Sequence, residues 1–331
     1  MNLEKRISLL TFIGQYIKRN SSAFQDIKQR AYAENKWFIP SFTDQAAINI
    51  ANSMLEEKSL RAFAVKYNIQ DEPIHKKTIG IVLAGNIPFV GMHDLLSVFL
   101  SGYRQKVKLS SKDKVLIPHL IEIASKEFRE LDEYIQFSEM LKDCDAYIAT
   151  GTNNSSRYFE YYFGKHPNII RKNRTSIAIL DGDESIEELA LLADDIQLYF
   201  GLGCRNVTQV IVPENYNFVP LLNALRKYEY FRDHDKYKNN FDYYLTIAIM
   251  NNQYYMTNDS ILLIQNQSPF SPIGQLNYQF YSDKNALLES LNREEIQAII
   301  GKGFLEFGSS QTPGLEDFAD GVNTMTFLQT L

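Results

Sequence analysis

The chain has 331 residues, which at roughly 100–200 residues per domain suggests two domains. Hydrophobic residues make up 45% and charged residues 22%, which excludes global disorder. A net charge of −6 argues against a nucleic-acid binder, and two cysteines without a CxxC or Cys/His cluster exclude a disulfide framework and leave no metal site to predict.

Leu3, Ile7, Leu10, Ile13 and Ile17 recur at helical spacing, so the N-terminus reads as an amphipathic helix. Lys18, Arg19 and Asn20 then stand where a signal peptide would need small residues. The rest of the first seventy residues also reads as helical. Thr43 is placed to cap a long helix reaching about Val65, with Ala47, Ile48, Ile50, Ala51 and Leu55 on its apolar face. The apolar stretch 81–100 contains Asn86, Pro88, His93 and Asp94, which a membrane-spanning helix would not carry at its centre. The expectation is a cytoplasmic protein without a membrane span, kept in a reducing compartment.

From residue 79 the text alternates. Strands are predicted over 79–83, 107–109, 146–149, 176–180 and 207–212, with helices over 92–100, 112–128, after 156, over 184–197 and over 220–228. Two more strands are expected at 261–264 and 276–281, and residues 233–238 read as a solvated loop. Strands interleaved with helices of this length predict an α/β protein with largely parallel sheets.

Ligands of open parallel sheets bind beyond the carboxyl ends of strands. Three predicted strand ends carry polar text there: Gly85-Asn86-Ile87-Pro88, Lys108-Leu109-Ser110-Ser111, and Thr150-Gly151-Thr152 opening a helix. A helix N-terminus offers unbonded backbone N–H groups to a phosphate. Cys204 lies in Gly201-Leu202-Gly203-Cys204-Arg205-Asn206, where glycines allow close backbone approach and Arg205 favours a thiolate. A buried structural cysteine is the competing reading. Cys144, flanked by Asp143 and Asp145, is expected to be inert. Neither a GxSxG nor a GxGxxG motif supports a serine hydrolase or the usual dinucleotide fingerprint.

Taken in order, these segments resemble the aldehyde dehydrogenase superfamily. More narrowly they look like its acyl-CoA reductase branch, the family of the fatty-acid reductase of bacterial bioluminescence. The register carries the resemblance: Asn86 precedes Lys108 by 22 residues and Gly151 precedes Cys204 by 53. The last thirty residues, with Gly314 and Asp320-Gly321-Val322, resemble the end of the same family. The implied fold is two interlocked α/β domains, a helical region plus NAD(P)-binding domain over 1–178 and a catalytic domain with a C-terminal return segment over 179–331.

The resemblance also implies roles. Cys204 would be the nucleophile, and the Asn86 side chain with the Cys204 backbone N–H would form the oxyanion hole. Lys108, Ser110 and Ser111 would meet the adenosine ribose or its 2′-phosphate, with Thr150, Gly151 and Thr152 beside the cofactor, NADPH in preference to NADH. Two departures stand out. The chain is short for the superfamily, which puts its oligomerisation arm in doubt while leaving room for a homo-oligomer. The Leu-Glu-Leu-Gly-Gly segment of hydrolytic aldehyde dehydrogenases has no match; Ile170-Arg171-Lys172-Asn173-Arg174-Thr175 stands near its place, without the carboxylate that activates water. Arg171, Lys172 and Arg174 read as a solvated basic turn or phosphate contacts. The implied activity is NAD(P)H-dependent reduction of an acyl-CoA, or another acyl thioester from an acyl-transferring partner protein, to the aldehyde through an acyl-cysteine. The alternatives are reduction of an acyl phosphate on the same scaffold, or a catalytically silent binding subunit.

Overall fold

The computed structural model describes residues 1–72, 76–151 and 153–331. The chain forms two compact units, residues 1–173 with 312–331, and residues 174–311. The first unit begins with four helices, α1 (Leu3–Arg19), α2 (Ser22–Glu34), α3 (Pro40–Ser53) and α4 (Glu57–Lys66). The Asn2 side chain accepts the Lys5 N–H at 3.0 Å to start α1, and Asn20 ends it in the left-handed region at φ 46°. Ile7, Leu10, Ile13 and Ile17 are buried along the face their spacing indicates.

The single helix expected from Thr43 to Val65 is two. Pro40 opens α3 three residues earlier, a position that needs no N–H. Thr43 is buried inside it, with its hydroxyl donating to the carbonyls of Phe38 and Ile39 at 3.3 Å each. The break at Met54 and Leu55 has no glycine or proline to announce it. Its cause is tertiary: both residues are buried, and a Cβ on Gly14 of α1 would stand 2.9 Å from Leu55 Cβ.

These helices precede a five-stranded sheet of β1 (Thr78–Val82), β2 (Arg104–Lys108), β3 (Ile135–Phe137), β4 (Ala146–Thr150) and β5 (Asn168–Arg171). Every pairing is parallel, in the order β3-β2-β1-β4-β5. Helices α5 (Met92–Leu100), α6 (Leu116–Glu127) and α7 (Asn153–Phe163) follow β1, β2 and β4. The central strand β1 buries Ile79 and Ile81 completely, as expected of a strand covered on both faces.

The second unit is a six-stranded sheet of β6 (Thr175–Ile179), β7 (Val207–Pro213), β8 (Tyr255–Thr257), β9 (Leu262–Gln265), β10 (Gln275–Tyr281) and β11 (Ile296–Ile300), in the order β11-β6-β7-β10-β9-β8. Only the β8–β9 pair is antiparallel among the described strands. Its helices are α8 (Ile186–Gln197), α9 (Val219–Leu225), α10 (Asp235–Met250) and α11 (Lys284–Ser290). A capping box of Ser185 and Glu188 starts α8. The segment expected as a solvated loop at 233–238 instead opens α10. His234 caps it through Nδ1, which accepts the Tyr237 N–H at 3.3 Å, and Tyr237 is buried.

Residues 312–331, with α12 (Thr324–Gln329), return to the first unit. A buried ion pair anchors them there. Arg171 of β5 donates through Nη2 and Nε to the two Asp94 oxygens at 2.7 and 3.1 Å, through Nη1 to the Ala319 carbonyl at 2.6 Å, and through Nη2 to Thr324 Oγ1 at 2.9 Å. Burial opposes ionisation of Asp94, but the charge and hydrogen bonds of Arg171, with His93 and Thr324, hold its carboxyl below the usual range. The expectation of a basic turn at 170–175 is therefore corrected at Arg171, which is a buried strand residue. Among the described residues no helix is long and apolar enough to cross a membrane.

Candidate active site

In the first unit, the three polar strand ends lie along one edge of the sheet. Val82 pairs with Lys108 and with Ala149 across β1, β2 and β4, so the residues that follow them emerge side by side. Strand β1 has β2 on one side and β4 on the other, and this reversal of direction marks the crevice where open α/β sheets bind ligands. Buried Gly85 and half-buried Asn86 leave β1 at that crevice; half-buried Thr150 and Gly151 leave β4. Lys108 and Ser111 are exposed at the end of β2, with Ser110 half-buried between. Thr152 lies outside the described residues.

Two glycines make close approaches there. A Cβ on Gly85 would stand 2.6 Å from Ser110 Oγ and 2.7 Å from Ser110 Cβ, so the β1 loop lies against the β2 loop. A Cβ on Gly151 would meet Phe159 at 2.8 Å and Ser155 Cβ at 2.9 Å, both on α7. The Gly151 N–H donates to the Arg171 carbonyl at 3.4 Å, extending the β4–β5 ladder up to the start of α7.

Asp113 ties the two loops together. Its carboxylate accepts the N–H groups of Val115 at 3.3 Å and Leu116 at 3.1 Å at the start of α6, and that of Phe89 beyond Asn86. Burial pushes its carboxyl up, and these three donors offset part of the rise. The sequence reading passed over Asp113, although an Asp just ahead of a helix is a capping signal.

In the second unit, Cys204 sits in the turn between α8 and β7, half-exposed. The chain leaves α8 through three successive left-handed residues: Tyr199 at φ 56°, Phe200 at 58° and Gly201 at 71°. Only the last is a glycine, and both aromatic residues are buried. Such conformations cost about 1–3 kcal/mol each and persist only where the surroundings enforce them.

Asn206 is one enforcer, and it is fully buried. Its Oδ1 accepts the Gly203 N–H at 2.8 Å; its Nδ2 donates to the carbonyls of Asp195, Ile196 and Leu198 at 3.1, 3.3 and 2.8 Å. One side chain thus bonds the last turn of α8 to the cysteine turn. Ser176 Oγ donates to the Cys204 carbonyl at 3.1 Å, fixing the other side. Asp195, buried in α8, accepts from Gly308 N–H, Ser310 N–H and Ser310 Oγ at 2.6, 3.1 and 2.6 Å. Burial raises its carboxyl despite those donors. Sequence reasoning found the cysteine and missed Asn206 and Asp195, whose partners are distant or backbone atoms.

Cys144 contrasts with Cys204. It is buried in the first unit, where burial pushes its thiol up; Lys106 opposes that, and Asp145 and Asp143 add to it. Its Sγ lies 3.6 Å from the Lys142 carbonyl. Among the described residues no group of three or more His, Cys, Asp or Glu is placed to hold a metal ion.

No family model matches the sequence, and no curated protein matches it. Solved structures do resemble the fold. An NAD-dependent aldehyde dehydrogenase from Sinorhizobium meliloti aligns at TM-score 0.66 and 13% identity, over 91% of this chain and 70% of that one. The Mycobacterium tuberculosis aldehyde dehydrogenase complexed with NAD+ aligns at 0.64 and 12%, over 87% and 70%. An NAD+ complex of aldehyde dehydrogenase from Bacillus cereus aligns at 0.58 and 13%, over 87% and 69%. At these identities the shared property is the fold: this chain has an aldehyde dehydrogenase-like α/β fold.

Proposed function

We propose that this protein reduces an acyl thioester, acyl-coenzyme A above all, to the aldehyde through an acyl group carried on Cys204. The observation that carries the reading is the cysteine turn itself. A half-exposed thiol sits on backbone bonded at both sides, by Asn206 and Ser176, after a strained left-handed exit from α8. That arrangement occurs in a fold shared with enzymes of aldehyde chemistry, several solved with NAD+.

The edge of the first sheet fits a nicotinamide dinucleotide. Gly85 lets the β1 loop lie directly against Ser110 of the β2 loop, α7 begins just beyond Gly151, and Lys108 offers an exposed cation. Lys108, Ser110 and Ser111 would hold the adenosine ribose or its 2′-phosphate, with Thr150 and Gly151 alongside. When bound, the dinucleotide supplies the hydride that reduces the acyl carbon.

The chain's own residues do the rest. The Cys204 thiolate adds to the thioester carbonyl, forming a carbon–sulfur bond. The tetrahedral oxyanion takes a hydrogen bond from the Cys204 backbone N–H, with the Asn86 amide as the second donor that the family resemblance implies, and it collapses by expelling the coenzyme A thiolate, which takes up a proton. One oxyanion donor is typically worth ~10²–10³ in rate. Passing through a covalent thioester splits one difficult step into two easier ones. Per turnover, one acyl thioester, one hydride and one proton give one aldehyde and one thiol. Water competes poorly: in the 170–175 segment Arg171 is paired with Asp94 and Lys172 with Glu160 at 3.0 Å, and the segment holds no carboxylate.

Mixing the protein with an acyl-CoA in the absence of dinucleotide tests the reading. One equivalent of coenzyme A released in a burst, with a persistent acyl-enzyme, is expected. Continuous release with free fatty acid would make it a hydrolase. Acylation by an acyl phosphate alone would favour that alternative donor, and no acylation by either would leave a silent binding subunit.

A further inference from the structure

The loop that carries Asn86 holds a conformation its own sequence does not favour. Phe89 stands in the left-handed region at φ 59° and is 2% exposed. A bulky residue there is strained, and it persists only where its surroundings enforce it. The Phe89 carbonyl accepts the Met92 N–H at 2.9 Å, which fixes one side of the residue at the entry to α5. Asp113 fixes the other side, because its carboxylate bonds the Phe89 N–H.

Asp113 is more than a helix cap. Its Oδ1 takes both α6 bonds, from the N–H groups of Val115 and Leu116, so capping occupies one oxygen. A serine or an asparagine would cap as well without a charge. Here a whole carboxylate is 8% exposed, and Glu34 of α2 adds repulsion to the burial. Burying a charge is costly unless hydrogen bonds satisfy it. The contact to Phe89 is what the carboxylate does beyond the cap.

The near end of the Asn86 segment rests on the same loop. A Cβ on Gly85 would stand 3.3 Å from the Asp113 backbone nitrogen as well as against Ser110. The Asp113 N–H in turn donates to the Ser110 carbonyl at 3.2 Å. Asn86 is therefore bracketed by Gly85 and Phe89, both held against residues 110–113. Pro88 between them fixes its own φ and restricts Ile87 before it, so the short segment has little freedom left.

We infer that Asp113 is a positioning residue for acyl transfer: by holding Phe89 it fixes the 85–89 loop, and with it the direction in which Asn86 presents its amide. It acts through Asn86 and not on the thioester. The inference rests on the reading of Asn86 as an oxyanion donor, and the experiment lets the two fail separately.

Asp113→Asn divides the cap from the hold. Asparagine keeps one oxygen for the helix N–H groups and has a donor in place of the second oxygen. Acyl transfer is timed by rapid quench and intact mass over a range of acyl-CoA concentrations, in wild type, Asp113→Asn, Asn86→Ala and the double variant. Asp113→Asn should lower the maximal rate by about ten- to a hundredfold, part of the ~10²–10³ that one oxyanion donor supplies. The half-saturating concentration should stay within about threefold of wild type, as for a loss felt in the transition state. In the Asn86→Ala background the same substitution should change the rate by less than about threefold, because residues that act as a unit do not add. Asp113→Ser, another capping residue, is a second variant with the same expectation. A maximal rate for both variants within about threefold of wild type overturns the inference. So does equal slowing in the two backgrounds, the result of a cap that only stabilises the fold. If wild type takes up no acyl group, or Asn86→Ala is as fast as wild type, the reading of Asn86 fails and hydrogen exchange over residues 86–91 judges the hold alone. Exchange about tenfold faster there in Asp113→Asn, with α6 unchanged, supports it; exchange within about threefold of wild type overturns it.

Discussion

Truncating Asn206 to alanine should loosen the cysteine turn by an amount the structure lets us work out. The side chain makes one bond to the Gly203 N–H and three to carbonyls at the end of α8, at 2.8–3.3 Å. A net contribution near 1 kcal/mol per bond, with the two amide hydrogens shared among the three carbonyls, gives a loss of about 3–4 kcal/mol. Asn206→Asp should cost at least as much: it keeps an acceptor for Gly203 but sets a carboxylate against three carbonyl oxygens. Such a loss raises the opening equilibrium by ~10²–10³, because 1.4 kcal/mol is a factor of ten. Hydrogen exchange read by mass spectrometry over β7, which follows the turn directly, should accelerate by that factor. Exchange in β7 within about threefold of wild type for Asn206→Ala would refute the idea that this one side chain holds the turn.

The Asp94–Arg171 pair makes stability depend on acid. A carboxyl held below its unfolded value contributes stability that is complete above about pH 4 and is lost as pH falls through the lower folded value. Urea unfolding between pH 2 and 7 should show that acid limb flattened in Asp94→Asn, along with a loss of about 3–5 kcal/mol at pH 7 from stranding Arg171; an unchanged limb would assign the acid sensitivity elsewhere. For the dinucleotide, Lys108 facing a 2′-phosphate predicts a higher kcat/KM with NADPH than with NADH. Lys108→Ala should cut that ratio about tenfold, the value of one charge-assisted contact of ~1.5 kcal/mol; an NADH preference untouched by the substitution would contradict it.

Much of the fold is written locally. Strands β1, β4, β6 and β7 read as short apolar runs, and Gly85, Pro88 and Gly151 mark where two of them end. What escaped has physical reasons. Strand β5 is four residues with an arginine among them, and Arg171 is tolerated only because Asp94, 77 positions earlier, neutralises it. Helix α10 begins in Asp-Lys-Tyr-Lys text behind a histidine cap, so its polar start hides the burial of Tyr237. The break between α3 and α4 comes from contact with Gly14 rather than from a breaker residue. In the candidate site the cysteine and strand-end residues are visible as types. Asp113 and Asn206 are not, because their roles depend on backbone atoms that only folding brings within reach.

The most direct measurement of the central claim is intact-mass and peptide mass spectrometry after mixing an acyl-CoA with wild type, Cys204→Ala, Cys144→Ala and Asn86→Ala. The account predicts one acyl group on Cys204 in wild type and in Cys144→Ala. It predicts none in Cys204→Ala, with dinucleotide binding nearly intact, and acylation slowed by about two to three orders of magnitude in Asn86→Ala. An acyl group on Cys144, or aldehyde still formed by Cys204→Ala, would contradict it.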